Sequence, residues 1–131
     1  MGSAGIQTSA LAIGGANPSN SGLSIGNVEL WSGSSWAEQN DLNTARQNSD
    51  GAGTTSNALA FSGYDGSPTG ATEEWTGVGA PVGAWSTGGS LNTGREGAAG
   101  TGASNTSALV FGGETGGPGD RTGITEQYTG S

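Results

Sequence analysis

The chain has 131 residues, of which 28 are Gly, so almost a quarter of it consists of Gly and Pro residues that favour turns and loops. Only 11% of the residues are charged; there is no Lys, and three Arg face eleven acidic residues, which gives a net charge of −8. Nucleic acid is therefore excluded as an expected partner, because binding to phosphates depends on clusters of Lys and Arg.

The sequence contains neither Cys nor His. This excludes disulfides, thiol nucleophiles, Cys/His zinc sites and histidine acid–base chemistry. A metal would have to bind through oxygen ligands alone, and no calcium loop of the Asp-x-Asp-x-Asp-Gly type occurs. The N-terminal residues show no basic or apolar run, and apolar runs stay near five residues, so we predict no signal peptide, membrane span or cofactor.

The first predicted unit covers approximately residues 4–46. Residues 4–7 are small and form a Gly-containing first strand, and residues 9–15 form an apolar second strand that ends in a double glycine. A third strand at residues 28–31 ends in Trp31, and a fourth strand begins at Trp36.

The second unit, approximately residues 47–95, repeats these elements in the same order. Its small first strand lies at residues 51–54 and its apolar second strand at residues 57–63, where Ser62-Gly63 replaces the double glycine. A third strand at residues 72–75 ends in Trp75, and a fourth begins at Trp85.

The third unit, approximately residues 96–131, contains three predicted strands, at residues 99–102, 107–113 and 125–128. The last carries Tyr128 at the position of Trp31 and Trp75. No block from Trp to Arg follows it, so we expect this unit to lack its fourth strand. We treat residues 1–131 as a single domain of about 2.75 repeats.

The spacing of the repeat identifies its class. Leu11 and Leu59 lie 48 residues apart, and Leu59 and Leu109 lie 50 apart. Residues 42–46 (Leu-Asn-Thr-Ala-Arg) return 49 residues later as residues 91–95 (Leu-Asn-Thr-Gly-Arg). A period near 50 residues is typical of kelch-type propellers, whereas the common helical repeats are shorter.

The apolar second strand ending in Gly-Gly, the following aromatic and the later Trp resemble a divergent kelch repeat. This resemblance implies an all-β fold in which four-stranded antiparallel blades form a β-propeller. Small first strands suit the crowded axis of a propeller, and second strands that are apolar on both faces suit a sheet covered on each side by a neighbouring blade. We therefore expect both Leu59 and Leu109 to be buried, and the four Trp to pack between blades.

Arg46 and Arg95 occupy one repeat position in a chain with almost no other cations. The first interpretation is structural: each Arg forms charge-assisted hydrogen bonds to loop carbonyls or to a repeat carboxylate, with the equivalent third-strand residues Glu29, Glu73 and Glu126 as candidates. The alternative is an acid-binding ring, because the connection between blades contributes to the binding face of kelch domains. Both arginines are therefore candidate binding residues.

Tyr64 and Asp65 are the other candidate binding residues, because they lie in a Gly/Pro-containing turn between the second and third strands. Such polar, weakly charged loops would suit a carbohydrate. The acidic residues of the chain lack the spacing of a calcium site or a glycosidase pair, so an enzyme is not expected.

Gly/Ser/Thr/Asn-rich, Lys-poor versions of this repeat resemble tail or fibre proteins of bacteriophages. We therefore expect a non-enzymatic structural or adhesive module in a virion or an extracellular setting, and a carbohydrate-binding lectin-type propeller is the alternative. Three units at most would leave bare sheet edges, so we also expect closure by a homo-oligomer, a dimer being the simplest, or by a longer parent chain.

Overall fold

The computed structural model describes residues 1–77, 83–116 and 119–130. Residue 131, the last of the third predicted unit, lies outside them. The described residues are mainly β-strands, with one short 3₁₀ turn at Pro18–Asn20, and no helix among them is long and apolar enough to cross a membrane. The strands are β1 (Gly2–Ile6), β2 (Ser9–Asn17), β3 (Leu23–Trp31), β4 (Trp36–Glu38), β5 (Asp50–Gly53), β6 (Asn57–Phe61), β7 (Thr72–Thr76), β8 (Ala84–Thr87), β9 (Ala99–Ser104), β10 (Ser107–Phe111) and β11 (Thr125–Tyr128).

The described strands form three antiparallel sheets in chain order. The first sheet has the order β1-β2-β3-β4, the second β5-β6-β7-β8, and the third β9-β10-β11. The registers are equivalent: Ala12 pairs with Glu29, Ala60 with Glu73, and Val110 with Glu126. The predicted all-β fold of antiparallel sheets with three or four strands is therefore confirmed.

The innermost strands β1, β5 and β9 lie side by side, and glycine is required where their backbones approach. A Cβ atom at Gly51 would lie 2.6 Å from the carbonyl oxygen of Ser3. At Gly100 it would lie 2.0 Å from Cζ of Phe61 in the second sheet. The Gly-rich first strands thus allow the sheets to approach closely.

The double glycine of the first sheet forms a bulge, because the register between β2 and β3 shifts between Ile13 and Gly15. The strand was predicted to end there, but β2 continues to Asn17. Ser62, at the equivalent position in the second sheet, has a φ of 56° and matches the 60° of Gly14. This serine therefore adopts a left-handed conformation that glycine adopts more easily.

The core lies between the sheets and consists of two clusters. Between the first and second sheets, the side chains of Leu11, Ile13 and Val28 pack against Ala58, Ala60, Trp75 and Trp85. Between the second and third sheets, Leu59 and Phe61 pack against Ala108, Val110 and Tyr128. Each interface combines large apolar side chains of one sheet with small Ala and aromatic side chains of the next.

The prediction that both leucines are buried is confirmed for Leu59 and wrong for Leu109. Leu59 is fully buried, whereas Leu109 is 42% exposed. The reason is positional: Leu59 faces the third sheet, but Leu109 faces outward from the third sheet. Trp36 is similarly 52% exposed, although its equivalent Trp85 is buried, because Trp36 faces outward from the first sheet.

The two leucines form a matched pair for a stability test. We expect Leu59→Ala to lower the free energy of unfolding by about 2–5 kcal/mol, because it removes a fully buried side chain. In the dissociated single chain, where Leu109 is 42% exposed, Leu109→Ala should change it by only about 0.5 kcal/mol, and in an assembly that covers Leu109 the cost should be larger. Chemical unfolding measures both values, and equal effects would contradict the assignment of Leu59 to the core between sheets.

Candidate functional site

Arg46 belongs by its main chain to the first sheet. Its N–H donates to the carbonyl oxygen of Ile25 at 3.2 Å, and its own carbonyl oxygen accepts from the N–H of Gly15 at 2.9 Å. The second glycine of the pair thus holds the connection that leaves the first sheet. A Cβ atom at Gly14 would lie 2.8 Å from the same carbonyl oxygen, so this close approach requires glycine at position 14 as well.

The guanidinium of Arg46 binds the second sheet instead. It donates to the carboxylate of Glu73 at 2.7 Å and to the carbonyl oxygen of Ala71 at 2.8 Å. The other oxygen of Glu73 accepts the N–H of Asn43 at 2.6 Å. Both side chains of the ion pair are almost completely buried, so this connection between sheets is a buried, charge-assisted network.

Arg95 forms the same arrangement one repeat later. Its N–H donates to the carbonyl oxygen of Thr69, and its carbonyl oxygen accepts from Gly63 in the second sheet. Its guanidinium donates to Glu126 and to the carbonyl oxygen of Ile124 in the third sheet. We call each such arrangement of a Leu-Asn-Thr-x-Arg segment and a third-strand Glu an arginine clamp.

The clamps support the structural interpretation of Arg46 and Arg95. Both guanidinium groups are buried, and their donors point to protein oxygens rather than to an open surface. Two of the three predicted acidic partners, Glu73 and Glu126, are the observed ones. The third, Glu29, is exposed, and no described residue donates a side-chain or main-chain hydrogen bond to its carboxylate.

Tyr64 and Asp65 lie in the loop between β6 and β7, beside the main chain of Gln47, which follows Arg46. Together with Leu23 and Gln47 they line a cavity of about 350 Å³ between the first and second sheets. Main-chain hydrogen bonds between Tyr64 and Gln47 of 2.7 and 3.0 Å fix the loop. The Tyr64 ring is half-buried and Asp65 is exposed, so this groove offers an aromatic surface beside an accessible carboxylate.

A second contact joins the second and third sheets. The Tyr128 hydroxyl donates to Glu74 at 2.6 Å. Burial and then this hydrogen bond to a carboxylate raise the pKa of Tyr128 above its ordinary value of 10.0. Tyr128 is therefore held as a neutral donor, which suits its place in the core.

Two outward surfaces remain open. We define the front face by the side chains on the outer side of the first sheet, namely Ala10, Ala12, Glu29, Trp31 and Trp36. Their equivalents in the second sheet, namely Ala58, Ala60, Glu73, Trp75 and Trp85, are all buried against the first sheet. We define the rear face by Leu109 and Phe111 of the third sheet, whose equivalents Leu59 and Phe61 are buried against the third sheet itself.

The front and rear faces are therefore the two halves of an interface that the chain already contains twice. Sequence reasoning missed them because it treated the outer sheets like the central one. The signal was present in the repeat alignment, since the first and last units of any open array each leave one face without a neighbour.

Comparison of the sequence with protein-family models and with curated proteins finds no match. Within the described part of the chain, no group of three or more acidic side chains is close enough to hold a metal ion.

The arginine clamps predict a specific sensitivity to Lys. We expect Arg46→Lys and Arg95→Lys each to lower the free energy of unfolding by about 1–3 kcal/mol. The ammonium group of Lys cannot reproduce the several hydrogen bonds of the planar guanidinium, so buried acceptors would be left unsatisfied. Arg121→Lys is the matched control: the Arg121 side chain is 80% exposed, and its contact with Glu114 is 3.4 Å long. It should change stability by less than about 1 kcal/mol.

Thermal and chemical unfolding of the three variants measure these effects. Full stability of the Arg46→Lys, Arg95→Lys double variant would contradict the clamps. Retained stability with loss of a ligand would instead favour the acid-binding ring.

Proposed function

We propose that this chain is a non-enzymatic structural or adhesive module that completes a kelch-like β-propeller by packing against another copy of itself. The observation that carries the proposal is the complementarity of the front and rear faces. Both faces are open and carry apolar side chains, and together they present the apolar side chains that join the sheets within the chain, although the front face also carries Glu29.

We call the interface between the rear face of one copy and the front face of the next the seam. The contacts expected at the seam follow from the contacts between sheets within the chain. Between the second and third sheets, Leu59 and Phe61 pack on small and aromatic side chains. At the seam, Leu109 and Phe111 of one copy would pack on Ala10, Ala12 and Trp31 of the next. Covering these side chains removes apolar surface from water at about 25 cal/mol per Å², which is the main driving force for association.

The interface is heterologous, because the rear face of one copy meets the front face of another. Such interfaces close into rings when the rotation allows and otherwise give open fibres. Propellers close with about four to eight blades, and two copies of three sheets each supply six. A dimeric ring is therefore the simplest assembly, while an open fibre would satisfy the same faces.

The assignment to a virion tail or fibre rests on the resemblance in composition and repeat type alone. A stable, weakly charged, Gly/Ser/Thr-rich assembly suits such a structural role. The proposal gives no residue a catalytic function, since the sequence lacks His and Cys and its buried charges bind one another.

A carbohydrate-binding lectin-type propeller remains the second candidate, and the groove at Tyr64 and Asp65 favours it. An aromatic ring beside hydrogen-bonding groups is suited to the apolar face and hydroxyl groups of a sugar. A glycan array distinguishes the two functions. Binding of a defined sugar that is lost in Tyr64→Ala supports the lectin, and a stable assembly without a glycan signal supports the structural module.

Light scattering after size-exclusion chromatography tests the assembly. We expect an integer multiple of the chain mass of 12.6 kDa that persists on dilution. Leu109→Asp should dissociate it, because a carboxylate cannot be buried at the seam without a partner. Ile6→Asp is the matched control, since Ile6 is 68% exposed and belongs to neither face. A folded monomer of the unmodified chain would overturn the proposal.

A further inference from the structure

Of the three glutamates at the equivalent third-strand position, Glu29, Glu73 and Glu126, Glu29 is the one without a clamp among the described residues. It pairs in register with Ala12, just as Glu73 pairs with Ala60 and Glu126 with Val110. Those two carboxylates each accept an Arg from the preceding unit. Glu29 is exposed, and no described residue donates a hydrogen bond to its carboxylate.

The surroundings of Glu29 favour a cation. Glu38 lies directly opposite it on β4, whereas the residue opposite Glu73 on β8 is Thr87. Like charges facing each other across strands are destabilising. An Arg bound here would lower the net charge of this pair from −2 to −1, and it would also cover the tilted pair of Trp31 and Trp36, whose ring centroids lie 5.4 Å apart.

A second copy of the chain cannot supply this Arg from a clamp segment. The sequence contains two Leu-Asn-Thr-x-Arg segments, and Arg46 and Arg95 are both engaged within their own chain. Arg121, the remaining Arg, lies in the loop between β10 and β11 and follows no such segment. The seam described above would therefore lack an arginine clamp.

Among the described residues, the third sheet has three strands and no counterpart of β4 or β8. In the first and second sheets, the fourth strand carries a Trp that packs at a tilt against the third-strand Trp, as Trp85 does against Trp75 with ring centroids 5.2 Å apart. The described residues leave the outer edge of β11 unpaired, so Tyr128 has no such neighbour. An unpaired edge is a template for adding a strand.

We infer that β11 and Glu29 form the two halves of a binding site for a segment of a partner polypeptide. The segment contains a Trp, then a Leu-Asn-Thr sequence that starts six residues after the Trp, and an Arg four residues after that Leu. The segment adds a fourth strand to β11 of one copy, and its Arg binds Glu29 of the next copy. This inference rests on the proposed assembly, because the two halves belong to adjacent copies.

The probe for this site is a labelled peptide with the sequence of residues 84–95 and an amidated C-terminus, so that no terminal carboxylate opposes its Arg. Fluorescence anisotropy follows its binding to the full chain, and light scattering gives the mass of the chain in the same samples. We expect saturable binding of one peptide per chain in the assembled form.

Three variants test the role of Glu29. Glu29→Gln in the chain should weaken peptide binding about tenfold or more, because it removes a charge-assisted hydrogen bond. Replacing Arg by Gln in the peptide should cause a similar loss on the unmodified chain and little further loss on Glu29→Gln. Glu96→Gln is the charge-matched control and should bind like the unmodified chain, since Glu96 contacts only the exposed Asn48 amide among side chains.

The possible outcomes distinguish a failure of this inference from a failure of the proposed assembly. An oligomer that does not bind the peptide, or binds it equally well with Glu29→Gln, overturns the inference and leaves the assembly standing. A monomer overturns the assembly and with it the site shared by two copies; Glu29-dependent peptide binding by that monomer would show only that Glu29 alone binds an Arg.

Discussion

The buried pairing of an arginine with a glutamate of the next sheet is the interaction on which this architecture depends. The main chain of Arg46 is bonded to the first sheet, while its guanidinium is bonded to the second, so one residue fixes the relative position of two sheets. Burying a charge is costly unless it is paired and hydrogen-bonded, and the Asn43 and Arg46 donors meet that requirement for Glu73. The clamp therefore gives the interface a defined register as well as contact.

Apolar contacts between the same sheets accompany the clamp. Small residues on β6, such as Ala58 and Ala60, leave room for Leu11 and Ile13 of the preceding sheet, and Trp75 with Trp85 fills the gap near the third and fourth strands. At the first strands, Gly51 and Gly100 let the backbones of neighbouring sheets approach. Side-chain size thus increases from the first strands toward the third and fourth. Because each sheet covers only its neighbours, the first and third sheets each have one outer face open in the described chain.

The repeat allowed much of this to be predicted from the sequence. The all-β class and the strands of each unit follow from landmarks such as Leu11 and Leu59, which recur at a nearly constant interval, and the acidic partners of Arg46 and Arg95 follow from their common repeat position. Exposure at the ends could not be predicted in this way, because the alignment makes Leu109 equivalent to Leu59 although only one has a neighbouring sheet. The continuation of β2 past Gly15 was missed because a bulge and a strand end share the same glycine signal. The groove at Tyr64 depends on how two loops from different sheets meet, which periodicity does not specify.

A double-mutant cycle on Arg46 and Glu73 tests the central role of the clamp most directly. The unfolding free energies of Arg46→Met, Glu73→Gln and the double variant give the coupling between the two side chains. Each single change leaves a buried group without its partner, so each should be strongly destabilising, by about 3–5 kcal/mol. We predict that the double variant is more stable than the sum of the single effects implies, with a coupling of about 1–3 kcal/mol. Additivity within about 0.5 kcal/mol would contradict the account, because it would show that the two charges do not depend on each other.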